Sequence, residues 1–236
     1  MESERLKKYK EKEAQRQAIN LKHLEAGVEF VDLYAAYIDE EVEIGEGTVI
    51  GPCVTLKGRT VIGKNCIIGQ NCRIEDSVIG DGVEVQSSVI LESRVGEETK
   101  VGPFAYLRPK SNVGSHCKIG DFVEVKNSNF GDGSKASHLT YIGDSDVGEK
   151  VNLGCGVVFV NYDGSQKYRS VVEDGAFIGC NVNLVSPVHV GKGAYVAAGS
   201  TITEDVPGDA LYVARARGRI IENWVKNKGI LIRKKK

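Results

Sequence analysis

One short stretch, Ala136-Ser-His-Leu-Thr-Tyr141, sets a histidine among small and hydroxylic side chains, and a polar run opening with Asn161-Tyr-Asp-Gly follows about twenty residues later. Histidine changes charge at about pH 6.5, so near neutrality its free imidazole can accept a proton as a nucleophile attacks. Of the four histidines, His23 falls in a helical segment and His116 and His189 fall in regular repeat units, which leaves His138 where the repeat falters. By residue type alone, a structural histidine hydrogen-bonded at a turn is the other reading. The six cysteines, at 53, 66, 72, 117, 155 and 180, form no C-x-x-C pair. Neither a zinc site nor a redox motif is implied, and small buried apolar side chains are the expectation.

The elements that must hold these groups follow from a repeat of six. Ile38, Ile44, Ile50, Leu56, Ile62, Ile68 and Ile74 recur without a miss, and a smaller residue (Val42, Thr48, Val54, Thr60, Cys66, Cys72) precedes most of them by two. The series slips phase after Ile74, resumes over Val95, Val101, Leu107, Val113, Ile119 and Val125, and resumes again from Val172 to Ile202. Periods of 3.6 and 2.0 belong to helices and flat strands, so neither explains six. A parallel β-solenoid does: each hexad is one short face, three make a coil, and residue i stacks on i+18. That predicts roughly nine coils, with Cys66 and Cys72 one face apart and with glycines such as Gly45, Gly51, Gly63 and Gly69 taking corners of unusual φ and ψ.

The domain organisation read from the chain is an N-terminal helix and linker over 1–36, a solenoid over 37–207 with a loop over 161–170, and a basic C-terminal arm over 208–236. The helix carries Leu6, Tyr9, Ala14, Ala18, Leu21 and Leu24 as one weak apolar stripe, with Gly27 as its stop. Between Leu153 and Val172 lie nineteen residues where three hexads take eighteen, and the interior position expected at 165 is a serine, so a loop leaves the prism there. The arm bears Arg215, Arg217, Arg219, Lys226, Lys228, Arg233 and Lys234 to Lys236, with Trp224 expected to pack it down. A net charge of -1 excludes a general drive toward nucleic acid. No apolar run reaches membrane-spanning length and the first residues are charged where a signal peptide is apolar, so a cytoplasmic, non-membrane protein is expected.

Five strings carry a resemblance: Gly102-Pro-Phe-Ala-Tyr-Leu-Arg-Pro, Asp121-Phe-Val-Glu-Val-Lys, Gly133-Ser-Lys-Ala-Ser-His-Leu-Thr-Tyr-Ile-Gly-Asp, Val151-Asn-Leu-Gly-Cys-Gly and Asn161-Tyr-Asp-Gly. Together they resemble the glucosamine-1-phosphate N-acetyltransferase domain of the bifunctional bacterial enzyme that makes UDP-N-acetylglucosamine. The resemblance covers nearly the whole chain and implies an all-β, left-handed β-helix of the hexapeptide acyltransferase kind. It implies acetyl transfer from acetyl-CoA to glucosamine 1-phosphate in a homotrimer with sites between solenoids, and a chain without the uridylyltransferase domain.

The same resemblance assigns His138 as the base. It assigns Arg108, Lys126 and Lys167 to the phosphate, and Tyr141, Asn152, Asn161 and Tyr162 to the sugar or the acetyl carbonyl, with Glu124 orienting its neighbours. Cys155, Cys180, Ala198 and Arg215 fall to acetyl-CoA. Two of these depart from the pattern: Cys155 stands where alanine is usual and Cys180 where serine is common. Solvated surface charge remains the other reading of the cations. An acyltransferase for another acceptor and a non-catalytic trimeric scaffold remain the alternatives for the whole.

Overall fold

The computed structural model describes residues 2–229, so Arg233 and the run Lys234 to Lys236 of the expected arm lie outside the described residues. Three parallel sheets of eleven, ten and nine strands wrap one left-handed β-helix of about ten coils. We call these faces A, B and C. The ladders begin at Glu29–Phe30 and end at Leu211–Tyr212.

The aliphatic column fills the interior because the prism is too narrow for anything else. On face A, Ile50, Ile68, Val85, Val101, Ile119, Ala136, Leu153 and Ile178 are each at most 2% exposed. The smaller second row is buried too, and where it is hydroxylic it bridges coils. Thr48 donates to the Gly63 carbonyl at 2.8 Å and accepts from the Cys66 amide at 3.0 Å, and Thr99 does the same with Gly114 and Cys117. Each such hydroxyl answers a backbone group that would otherwise be buried unpaired.

The repeat does not lapse after Ile74. The interior continues through Ile79, Val85, Ile90 and Val95, and later through Phe130, Ile142 and Val147, all nearly inaccessible. Five corners are simply one residue short, and each turns on a non-glycine residue in the left-handed region: Asp76, Ser87, Glu92, Asn127 and Asp144, with φ of 40 to 49°. Asp and Asn tolerate that region better than most side chains. The glycine expectation also changes: Gly45, Gly51, Gly63 and Gly69 are absent from the positive-φ residues. They are small because the next coil is close; a Cβ on Gly45 would lie 2.6 Å from the Gly63 carbonyl carbon.

The nineteen-residue interval likewise hides more than one extra residue. Val147 pairs with Val172, 25 positions on, so the coil carries 25 − 18 = 7 surplus residues, looped out between strands Val158–Val160 and Ser170–Val172.

The N-terminal helix α1 (Glu4–Glu25) is capped by Ser3, whose side chain accepts from the Leu6 amide, and ends before Gly27 at φ 89°. Its docking face is not the apolar stripe: Leu6, Tyr9, Leu21 and Leu24 are exposed, whereas Asn20 and His23 are buried. Arg16 donates to the carbonyls of Tyr34 and Ala36, and Asn20 to those of Leu33 and Ala36. The helix thus covers the first coil by capping orphan carbonyls, which an apolar pattern cannot reveal. At the other end, Trp224 sits in a short helix, Trp224–Asn227, and is 46% exposed rather than packed down. Among the described residues, no helix is long and apolar enough to cross a membrane.

Candidate active site

The site residues fall into two lines along the prism. The first is the corner between faces A and B. Strands Lys118–Asp121 and Lys135–His138 pair so that Asp121 lies opposite His138. The same register carries on, Ala136 opposite Leu153, Leu153 opposite Ile178 and Ile178 opposite Val196, which sets Cys155, Cys180 and Ala198 in line with His138. Successive members are one coil apart, about 4.8 Å. Amides of the following coil lock the line, Asn181 N–H to the Cys155 carbonyl and Gly199 N–H to the Cys180 carbonyl, each at 2.8 Å. Arg215 ends it by donating to the Ala198 carbonyl. Beyond His138 the line holds only small side chains, leaving a straight shallow track.

The His138 imidazole meets Asp121 at once, Nδ1 to Oδ1 at 2.5 Å. That contact holds the Asp121 carboxyl below its ordinary value.

The second line is the outer surface of face B and its far corner. Arg108 Nη1 donates to Glu124 at 2.8 Å. Lys126 Nζ donates to Asp144 at 3.2 Å, and Asp144 also accepts from Asn127 at 2.6 Å and from Asn161 at 2.5 Å. Burial alone would raise the Asp144 pKa, but the bonds from Asn127, Lys126 and Asn161 outweigh it and hold the group below its usual range. Asn161 Nδ2 also reaches the Tyr141 hydroxyl at 3.4 Å. Gly143 makes this possible, since a Cβ there would lie 2.4 Å from the Tyr141 oxygen and 2.7 Å from Asn161 Nδ2.

The looped-out residues close over this surface. Tyr162 and Lys167 form an antiparallel bridge, Asp163 caps the tip by accepting from the Ser165 and Gln166 amides, and the Tyr162 hydroxyl is held by the Gly164 carbonyl at 2.7 Å. Lys167 therefore stands beside Lys126, and that neighbouring ammonium, with a contribution from Arg108, lowers the Lys167 pKa. Cations crowded in this way call for an anion. Arg169 ties the returning limb down, with Nε and Nη2 on Asp146 at 2.5 Å and further bonds to the carbonyls of Asn127 and Ser145 at 2.9 Å. Arg169→Ala should free the loop. The expected result is faster cleavage at residues 161–170 in the variant than in the wild type, read by limited proteolysis, with the rest of the solenoid equally resistant in both.

One residue named from sequence stands apart: Asn152 is on face A, opposite Lys135 and Phe177, around the corner from Tyr141. Four residues of the site were not named: Asp121, Gly143, Asp144 and Arg169. For Asp121 the signal is its spacing of seventeen from His138, one coil containing a short corner. The cysteines divide. Cys66, Cys72 and Cys117 are buried as expected, but Cys53 and Cys180 are exposed and Cys155 is half-buried.

The six-residue repeat and the fold built from it have counterparts among known proteins. Residues 169–204 match the family described as bacterial transferase hexapeptide (six repeats), and residues 34–108 match the GMPPB C-terminal domain. More particularly, the chain is homologous to bifunctional protein GlmU. It is 55% identical to that protein of Clostridioides difficile over 93% of this chain and 48% of the relative, and 52% identical to that of Alkaliphilus metalliredigens over 92% and 48%. The chain thus spans about half the length of the curated relatives it matches. Among solved structures, a UDP-N-acetylglucosamine acyltransferase from Campylobacter jejuni shares the fold, with a TM-score of 0.52 at 18% identity over 84% of this chain and 77% of the other.

Proposed function

We propose that the chain transfers the acetyl group of acetyl-CoA to the 2-amino group of glucosamine 1-phosphate, a step toward UDP-N-acetylglucosamine. The observation that carries this reading is the crowding of Arg108, Lys126 and Lys167 around one surface, where Lys167 is disfavoured as a cation by its neighbours. A phosphate monoester supplies the missing charge, the Arg108 fork and the two ammonium groups gripping it. Tyr141, Asn161 and Tyr162 then hold the sugar, Glu124 orients Arg108, and Asn152 meets substrate from face A. Acetyl-CoA lies along the corner past Cys155, Cys180 and Ala198, with Arg215 toward its phosphates. His138, at the head of that line, takes the proton of the attacking amine.

Support for a homotrimer comes from the surface that adjoins the site. Phe104, Phe122 and Leu139 are more than half exposed along the A/B corner, the two phenylalanines stack at 5.5 Å, and Ile220, Ile221, Trp224 and Val225 project from the arm. A neighbouring solenoid covers these and brings its own faces to the site.

Mass spectrometry of the reaction with acetyl-CoA tests the acceptor. The expected product is glucosamine 1-phosphate heavier by one acetyl group. Acetylation of other amines with none of this one would favour the other-acceptor reading, and no acetylation of any amine would favour the scaffold.

A further inference from the structure

We infer that Asp121 is the positioning residue for His138: it fixes the ring with Nδ1–H toward its own carboxylate and so presents an unprotonated Nε2 to the amine. The inference rests on the reading of His138 as the base, and it goes beyond that reading by naming what orients the base.

Three observations meet at this pair. First, Lys118–Asp121 and Lys135–His138 are the only four-residue strands among the described residues, so their ladder runs on into the corner where others have stopped. Second, Gly120 lets the two backbones close up immediately before the pair, since a Cβ there would lie 2.0 Å from the Ser137 carbonyl oxygen. Third, the residues that follow the pair, Phe122 and Leu139, are held at φ 55° and 50°, a region that bulky side chains seldom occupy. Strain of this kind persists where the surroundings impose it, and here it fixes the turn that carries Asp121 and His138. The resulting Nδ1···Oδ1 distance of 2.5 Å suits a charge-assisted bond.

A carboxylate accepts only, so the ring nitrogen facing it must be N–H, and the other nitrogen is then the acceptor. As the amine forms its C–N bond to the acetyl carbon, its proton passes to Nε2. The C–S bond then breaks, and the coenzyme A thiolate leaves with a proton returned from the imidazolium. Asp121 stabilises that imidazolium between the two transfers. The charged and titratable groups on the adjoining coils are Lys118 and Asp121 on one side, Lys135 on its own strand, and Cys155, two residues beyond the strand Asn152–Leu153, on the other side.

Asp121→Ala should lower kcat by about 10- to 100-fold and leave both KM values within about threefold. Asp121→Asn should lose a similar share of the rate, and Asp121→Glu should recover most of it. Nitrogen-15 NMR of labelled protein reads the ring directly, with Nδ1–H expected in the wild type and Nε2–H gaining in Asp121→Ala. A wild-type ring protonated on Nε2, or an Asp121→Ala variant with unchanged kcat, would overturn the inference. Wild type inactive on glucosamine 1-phosphate but with the expected tautomer change would uphold Asp121 and sink the proposed reaction instead.

Discussion

Replacing His138 by alanine should lower kcat for acetylation of glucosamine 1-phosphate at least ~100-fold, with KM for either substrate changed only a few-fold. Removal of a general base typically costs 10²- to 10⁴-fold, and nothing else in the corner line offers one. Asp121 is occupied by His138 and held ionised below its ordinary pKa, and Ala198 has no proton-accepting side chain. Fold should be unaffected, because the imidazole is about half exposed and stands outside the packed interior. Stopped-time assays of both proteins at saturating substrates check the rate, and circular dichroism checks the fold. A comparable kcat would remove His138 from the chemistry. A loss confined to KM would make it a binding group.

The second large effect should come from Asp144→Ala. This side chain is about 10% exposed and holds Lys126, Asn127 and Asn161 together. Removing it leaves a partly buried ammonium and two amides unpaired, at a cost of about 1–3 kcal/mol. Part of that appears as stability: for a chain of this size ~1 kcal/mol corresponds to about 2–4 °C, so a fall in Tm of several degrees is expected. The remainder appears as a KM for the sugar phosphate raised tenfold or more, since Lys126 and Asn161 lose their common anchor.

The pH dependence of stability has a definite sign. The folded-state pKa of Asp144 is depressed, so its contribution is present above the unfolded value of about 3.9 and is lost as pH falls through the folded value. Wild-type Tm should therefore drop more steeply below about pH 4 than that of Asp144→Asn. Parallel melts across that range would reveal it.

What the sequence discloses depends on how strictly physics ties it to position. The interior column was legible because a narrow prism admits only an aliphatic side chain at each sixth place, and the solenoid follows from the count. The short corners were not legible. Losing one residue at Asp76 or Asn127 shifts the count without changing the chemistry of the residues on either side. That loss of register also hid Asp121, whose meeting with His138 is an event between coils seventeen residues apart.

Asp144 and Gly143 lie within one of the five strings, yet their roles are steric and electrostatic and depend on where Tyr141, Lys126 and Asn161 meet in space. The helix misled because it docks through Arg16 and Asn20 onto backbone carbonyls, while its apolar stripe faces outward. Asn152 was named by resemblance alone, and within one chain it stands on the other side of the corner.

Coenzyme A thiol release measured side by side with glucosamine 1-phosphate and with unphosphorylated glucosamine tests the central claim most directly, that Arg108, Lys126 and Lys167 are a phosphate grip set beside an acetyl-transfer corner. Charge-assisted bonds are worth about 1.5–3 kcal/mol each, so kcat/KM should favour the phosphorylated acceptor by at least ~100-fold, and Arg108→Ala should erode that preference. Equal rates with the two acceptors, or release indifferent to Arg108, would contradict the account.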